Sequence, residues 1–534
     1  MQPIPVSFSD THRFTPIVLD YLQGATSLKP FYTYDPRDPD WAQVMRDKDA
    51  EQIDREVLVQ VLRRQYAHVP HADAVHQHIE ALALPNTYCI VTAHQLNIFT
   101  GPLYVIYKTI STIKLCMRLR AQFPHAQFVP IFWLGSEDHD FEEINHTQVF
   151  GKTINWNDKQ GGACGRYTLD TFAPALEAVL SLLGEGVYAE QLKACFIEAY
   201  RPSHNLAHAS RLLLHSLFQS YGVVCVDGDD ADLKRSCIDM LRDELQHQSS
   251  ARIMENTLQQ FPFPPQAFAR EINVFYLDAH LRERIVHDAA ANMYRVLNSD
   301  LAFTPEALME TLQAHPERFS PNVILRPLMQ QKVLPSLAYI GGGGELAYWL
   351  QLKAIFAHHH IAFPVLLLRD SFLLVDGHTT KKMQKLGVEL TELFAPEHQV
   401  IEQYVRRHAD TVVDLSAEVK RVEEMFAPLV AQATSIDPGL ESTVMAERQN
   451  MLNALHKLEA KLLKAQKGKQ ETQVKQLGAV LQKLFPGGGL QERSESFIGF
   501  WLRFGPGFLD ILLRSAEQPV QHFTVLVEPA PGEV

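Results

Sequence analysis

Residues 87–108 read TYCIVTAHQLNIFTGPLYVIYK. Thr87-Tyr88-Cys89-Ile90-Val91-Thr92 is a short apolar run of β-prone residues that stops at the loop Ala93-His94-Gln95-Leu96-Asn97-Ile98-Phe99-Thr100-Gly101-Pro102. Beyond the loop, Leu103, Ile106, Ile110, Ile113 and Met117 recur at spacings of three and four, the period of an amphipathic helix. Thr100 is placed to cap that helix and Pro102 suits its first turn, whereas Lys108, Ser111 and Arg118 fall off the apolar stripe. Phe128-Val129-Pro130-Ile131-Phe132-Trp133-Leu134 then reads as a second strand, although Pro130 cannot donate to a ladder. Strand, helix and strand form a βαβ unit, right-handed if the strands are parallel. Ligands of open α/β sheets bind beyond the carboxyl ends of strands, which singles out the His94 loop and the residues just after Leu134.

Leu134 leads into Gly135-Ser136-Glu137-Asp138-His139-Asp140-Phe141-Glu142-Glu143-Ile144-Asn145-His146, the densest ionisable cluster in the chain. Adjacent carboxylates can push one pKa upward and a histidine titrates near neutrality, so acid–base catalysis is one reading of it. Metal coordination is another, although the spacing matches no strong ligand signature, and a solvated loop of hydrogen-bonding side chains is the third. The His94 loop offers an imidazole, an amide and a glycine ahead of a helix N-terminus, a place for an anion or carboxylate, but it is neither a dinucleotide fingerprint nor a P-loop.

Further strands are expected at Gly222–Asp227, Val274–Asp278, Leu337–Ile340 and Pro364–Arg369, so the α/β pattern continues. The stretch 150–320 is longer than a crossover needs and reads as insertions into one sheet domain. Gly341-Gly342-Gly343-Gly344-Glu345 could cradle a phosphate or a sugar, but it lacks the Lys-Ser/Thr of a P-loop, and a tight turn explains it equally well. Arg326 and Arg369 offer bidentate forks for carboxylates, and Lys381-Lys382 could meet a phosphate. His358-His359-His360 falls at a helix end where consecutive residues point apart, and reads as structural. From about residue 410, Met451, Leu455, Leu458, Leu462 and Ala465, then Leu477, Leu481 and Leu484, trace a coiled-coil seam. Asp437-Pro438 starts that helix and Phe485-Pro486-Gly487 ends it. Its partner is the helix near Val413 to Phe426, a second subunit, or both.

The chain's 534 residues carry 49 Lys and Arg against 62 Asp and Glu, a net charge of −13 that excludes non-specific attraction to nucleic acid or anionic lipid while leaving room for a local basic pocket. No apolar run has membrane-spanning length, residues 1–7 show no basic region followed by an apolar stretch, and the six scattered cysteines form no zinc or disulfide pattern. A cytoplasmic protein without a structural metal is expected.

Thr92-Ala93-His94-Gln95, Thr100–Tyr104, Tyr107-Lys108, Glu137–Asn145, Leu325-Arg326-Pro327, Tyr339–Glu345 with Ala347-Tyr348, Phe363-Pro364 with Arg369, and Leu490–Arg493 followed by Gly505 together resemble the bacillithiol biosynthesis cysteine-adding enzyme family. The likeness runs in one order over nearly the whole chain. Ala93 stands where the family has Thr-Gly, and Gly343 where it has proline.

The resemblance implies an α/β fold, a Rossmann-like parallel-sheet core with connecting insertions, plus a C-terminal α-helical coiled coil that pairs subunits into a homodimer. The expected parts are a helical lead-in at 1–85, a first core part at 86–150, inserted segments at 151–320, a second core part at 321–410, coiled-coil helices at 411–486, and a C-terminal segment returning to the core at 487–534. It implies ligation of the carboxyl group of cysteine to the amine of glucosaminyl-malate, with ATP activating the carboxyl and Mg2+ accompanying it. His94 and Gln95 would polarise the reacting carboxyl, and Asp138, His139 or Asp140 would free the amine. Thr100, Gly101, Arg326 and Arg369 would hold malate, Gly342, Gly344 and Glu345 would shape the sugar or nucleotide pocket, and Tyr104, Lys108, Glu137 and Asn145 complete the substrate contacts. Lys381, Lys382 and Arg493 are the implied nucleotide contacts at the coiled-coil junction, where ADP or ATP could sit. The competing readings are a metal-dependent hydrolase centred on the Glu137–His146 cluster and a non-catalytic, nucleotide-binding dimeric scaffold.

Overall fold

The computed structural model describes residues 1–409 and 414–532. Its centre is a five-stranded sheet built from β1 (Thr87–His94), β2 (Gln127–Leu134), β3 (Val224–Asp227), β4 (Ser336–Gly341) and β5 (Val365–Leu368), every neighbouring pair parallel, in the order β5-β4-β1-β2-β3. The strand order therefore reverses between β1 and β4, and an open sheet presents its ligand crevice at that switch point. The strands are buried along almost their whole length, as sheets covered on both faces require. Pro130 sits in β2 opposite Ile90, one residue before the pairing with β3 begins at Ile131.

The helix after β1, α1 (Tyr104–Gln122), departs from the simple amphipathic reading. Lys108 and Ser111 are buried and Met117 is exposed, because the helix lies between the sheet and the C-terminal helix Gly507–Ser515 and so hides more than one face. Thr100 does not cap it. The N-terminus is covered by the C-terminal segment, where the Leu103 N–H donates to the Glu495 carbonyl at 2.8 Å. The first residues are not helical: Gln2–Val6 pairs antiparallel with Phe523–Val527, which pairs parallel with Phe372–Val375, so the two ends of the chain close one small sheet.

The segment 151–320 is not wholly an insertion, since it supplies β3 to the main sheet. The rest of it includes an antiparallel sheet of Ala302–Phe303, Met293–Val296, Leu281–Asp288, Val274–Asp278 and Phe319–Pro321. In the C-terminal part, Ser416–Ile436 and Leu440–Lys469 pack as a helical hairpin, followed by Glu471–Leu484. Asp437-Pro438-Gly439 makes the turn between the first two; the start of the expected partner helix at Val413 lies outside the described residues. The expected seam divides: Leu455 is half-buried in the hairpin, but Met451, Leu458 and Leu462 are 47%, 47% and 40% exposed. No helix among the described residues is long and apolar enough to cross a membrane.

Candidate active site

The carboxyl ends of the five strands converge on one crevice, a cavity of about 770 Å³. His94 closes β1 level with Leu134 of β2, so the two following loops lie side by side. The Gly135 N–H donates to the His94 carbonyl at 2.7 Å, and a Cβ on Gly135 would meet that oxygen at 3.0 Å, so only glycine lets the strand ends stay this close. Glu137, Asp138 and His139 follow β2, Gly342 to Glu345 follow β4, and Arg369 follows β5 with its N–H on the Gly341 carbonyl at 2.9 Å. After β3, the loop adds Asp229 and the short helix Ala231–Arg235 adds Lys234 behind the crevice.

His94 Nδ1 accepts the Gln95 backbone N–H at 2.7 Å, and its Nε2 lies 3.1 Å from the Tyr104 hydroxyl. A neutral imidazole that accepts at Nδ1 carries its proton on Nε2, so His94 donates to Tyr104 and leaves the phenol free to donate into the crevice. Burial, with the charges of Lys108 and Arg369, pulls the His94 pKa down to about 3, which keeps the ring neutral. Burial likewise raises the Tyr104 phenol, which stays protonated.

The two adjacent carboxylates are driven apart. Glu137 is buried, and desolvation together with Asp229 raises its pKa against the pull of Lys234, whose Nζ is 2.7 Å away. Burial works on Asp138 in the same sense, but hydrogen bonds from His139 and from the Gln95 amide at 2.8 Å, with the charge of Arg282, hold it well below the usual carboxylate range. Lys234, fully buried, also meets Asp229 at 2.8 Å, and Asp229 is gripped by Arg166 at 2.6 Å. On the β4 side, Glu345 accepts from Lys108 and from the Tyr339 hydroxyl, both at 2.5 Å, and from the Gly342 N–H at 2.8 Å. Against desolvation, these hold it down to about 2.

The opposite wall comes from the inserted antiparallel sheet and its flanks: Phe268, Arg270, Phe275, Arg282, Arg284 and Asn322. Arg282 lies over the Phe275 ring at 4.2 Å and donates to His139 Nδ1 at 2.7 Å. The Nε of Arg284 is buried without a hydrogen-bond partner. Lys108, Arg270, Arg282, Arg284, Arg326, Arg369 and Arg493 line the crevice against Glu137, Asp138 and Glu345. In a chain of net charge −13 this is a concentrated cationic pocket.

The crevice thus gathers His94, Gln95, Tyr104, Lys108, Glu137, Asp138, His139, Arg326, Gly342, Gly344, Glu345, Arg369 and Arg493. Four expected contacts fall elsewhere. Thr100 and Gly101 do not line it, because both take positive φ in a tight turn sealed beneath the C-terminal segment. Asp140 is exposed at the start of the short helix Phe141–Ile144, which turns the chain away, and Asn145 lines a separate surface depression with Glu142 and Asp158. His146, bonded to Asn145, opens the hairpin strand His146–Val149, so the Glu137–His146 stretch does not close into one ligand set. Arg369 lines the crevice but spends its fork on buried Glu492, at 2.5 and 2.9 Å, and so ties the crevice to the C-terminal segment instead of offering a free carboxylate clamp. Arg493 belongs to the crevice, whereas Lys381 and Lys382 stand exposed on the helix Gly377–Leu386 and do not line it. The residues not foreseen are Lys234, Arg270, Arg282 and Arg284. Lys234 was within reach, since Asp227-Gly228-Asp229-Asp230 directly follows a strand and the strand-end rule that marked Glu137 applies there too. The arginines carried no local signal.

A parallel α/β sheet with a charged crevice at its switch point and a helical coiled-coil appendage defines a Rossmann-like enzyme fold with an added coiled coil. The chain belongs to the bacillithiol biosynthesis BshC family: residues 1–370 match the model of its N-terminal Rossmann-like domain and residues 372–528 that of its C-terminal coiled-coil domain. It is 37% identical over 524 residues to a protein of Flavobacterium johnsoniae described as "Putative cysteine ligase BshC", covering 98% of this chain and 99% of the relative. Proteins of the same description match from Christiangramia forsetii, at 37% identity with 98% of each chain covered, and from Salinibacter ruber, at 29% with 93% and 94% covered. A methionyl-tRNA synthetase of Mycobacterium tuberculosis aligns with 82% of this chain and 92% of its own at 12% identity and a TM-score of 0.23, a level that bears on neither fold nor ligand.

Proposed function

We propose that the crevice joins the carboxyl group of cysteine to the amine of glucosaminyl-malate, with ATP activating the carboxyl, to give bacillithiol. The observation that carries this reading is the cationic lining of the switch-point crevice, combined with kinship to proteins described as cysteine ligases. Malate brings two carboxylates, cysteine one and ATP its phosphates, and guanidinium groups are the matching donors. Arg270, Arg284 and Arg326 hold the malate carboxylates, and Arg493 faces the nucleotide phosphates.

An amide does not form efficiently from a free carboxylate, so the cysteine carboxyl is first converted to an acyl phosphate or an adenylate. The amine nitrogen then attacks the carbonyl carbon, and phosphate or AMP leaves. Tyr104, oriented by His94, donates to the carbonyl oxygen as charge develops on it. Asp138, fixed as a carboxylate by Gln95, His139 and Arg282, orients the incoming ammonium. Glu137, whose burial raises its pKa, takes the proton, dividing the work of an adjacent pair by environment. Mg2+ fits only with the nucleotide's own oxygens, since Glu137 and Glu345 are already paired to lysines; it would neutralise phosphate charge. Lys381 and Lys382, on a helix packed against Glu471–Leu484, are the proposed contacts for a second nucleotide at the coiled-coil junction.

Pairing of subunits goes with this reading, because Met451, Leu458 and Leu462 form an exposed apolar stripe on the long helix. Leu458→Glu with Leu462→Glu should convert a dimer to a monomer in sedimentation velocity, and an unchanged coefficient would count against the stripe as an interface. The reaction itself is tested by mass spectrometry of the purified protein with glucosaminyl-malate, cysteine, ATP and Mg2+. The thiol should appear together with stoichiometric ADP or AMP; nucleotide binding without any thiol would favour the scaffold reading.

A further inference from the structure

Away from the crevice, two parts of the chain bring three metal-ligating side chains to one point. Asp243 lies on the helix Ile238–His247, within the stretch between β3 and β4. His358 ends the helix Lys353–His358 between β4 and β5, and His359 follows it. The Asp243 Oδ2 atom is 3.1 Å from His358 Nε2 and 3.9 Å from His359 Nε2, and one ligand atom from each residue falls within 4.8 Å of the others.

Consecutive helical residues diverge, which is why the triplet 358–360 reads as structural from sequence. Here His359 has left the helix, with φ −89 and ψ 7, and His360 takes φ +55 as the chain reverses. That turn swings the second imidazole back beside the first, their ring centroids 4.8 Å apart. His359 is the informative member. Its Nε2 is buried and has no hydrogen-bond partner, although its side chain is only 10% exposed. A buried polar atom left without a partner needs an explanation, and a bound ion is one of the few.

We propose that Asp243, His358 and His359 form a site for a divalent transition metal, Zn2+ in the first instance, that fastens the segment carrying Asp243 to the core helix Lys353–His358. Two imidazoles and a carboxylate are borderline donors suited to Zn2+, whose bonds of about 2.0–2.2 Å put neighbouring ligand atoms roughly 3.3 Å apart, between the two separations seen here. His358 is 40% exposed, leaving room for water to complete the coordination. Lys332 is a nearby cation that opposes an incoming ion, and the Asp243 carboxylate offsets it.

The test is isothermal titration of ZnCl2 into the full-length protein after chelator treatment, with Co2+ absorption as a second readout. Wild type should bind one Zn2+ per chain at this site, melt at a higher temperature when loaded, and show visible Co2+ bands. His359→Ala should abolish that equivalent, and Asp243→Asn, which preserves side-chain shape, should raise its Kd at least about tenfold while the metal-free melting temperature holds. His204→Ala, in a half-buried histidine pair elsewhere, should leave Zn2+ binding unchanged. Absence of Zn2+ binding by wild type, or undiminished binding by both site variants, would overturn the proposal. If His359→Ala does not fold, Asp243→Asn decides alone.

Discussion

The two walls of the crevice are built on opposite electrostatic plans. On the core side, the carboxylates at the strand ends are answered within the protein: Glu137 by Lys234, Glu345 by Lys108, Asp138 by Gln95 and Arg282. On the inserted side, Arg270 is exposed and Arg284 keeps a buried donor without a partner. The acids of the core wall are paired before any ligand arrives, and of the inserted wall's arginines Arg282 is already spent on Asp138 while Arg270 and Arg284 line the crevice for an incoming anion. A preorganised core face suits chemistry, and an unsatisfied cationic face suits capture of charged substrate.

The severest way to break this contrast is to remove a hidden cation from the core wall. Lys234→Met leaves Glu137 and Asp229 buried without their shared partner, and should cost about 3–5 kcal/mol of stability, read by urea denaturation. A loss below 1 kcal/mol would mean that the two acids are not held as charges. Next, Asp138→Asn should lower ligation by roughly 100-fold or more while the melting temperature stays within a few degrees. Unchanged turnover would remove Asp138 from the reacting group.

The inserted wall should respond differently. Arg284→Ala is expected to raise KM for glucosaminyl-malate about tenfold, one charge-assisted hydrogen bond's worth, with kcat nearly constant. A fall in kcat with KM unchanged would place Arg284 among the reacting groups and erase the distinction between the walls. The smallest effect concerns pH. The folded-state pKa of His94, about 3, lies below its ordinary 6.5, so the unfolded chain takes up the proton first. The stability that His94 contributes is therefore complete above pH 6.5 and is lost as pH falls toward 3. The melting temperature of wild type should drop more steeply between pH 6.5 and 4.5 than that of His94→Gln, and parallel curves would show that the ring is not held neutral.

Local pattern reached the parts of the site that sit on the strand ends. The apolar run before His94, the turn at Gly341 and the acidic cluster after Leu134 each declare themselves in consecutive residues, and the strand-end rule then marks them as neighbours. The same reasoning failed at Thr100 and Gly101, because a loop that looks open in sequence is roofed by residues near Glu495, almost four hundred positions away. It failed again at Arg369, whose free-looking fork is occupied by Glu492, and at Lys108 and Ser111, which a single apolar stripe would leave in solvent.

By itself, then, the sequence determined the parallel α/β core, the residues at its strand ends, the long C-terminal helix and the family, because hydrophobic period, turn residues and motif order are local properties. Tertiary structure alone decided which charges are spent on one another and which remain free. It folded the inserted sheet over the switch point, sealed the start of α1, buried Lys234 between two acids and turned His359 back beside His358. Those outcomes depend on which distant segments share a desolvated space, and the cost of burying a charge without a partner makes that sharing selective.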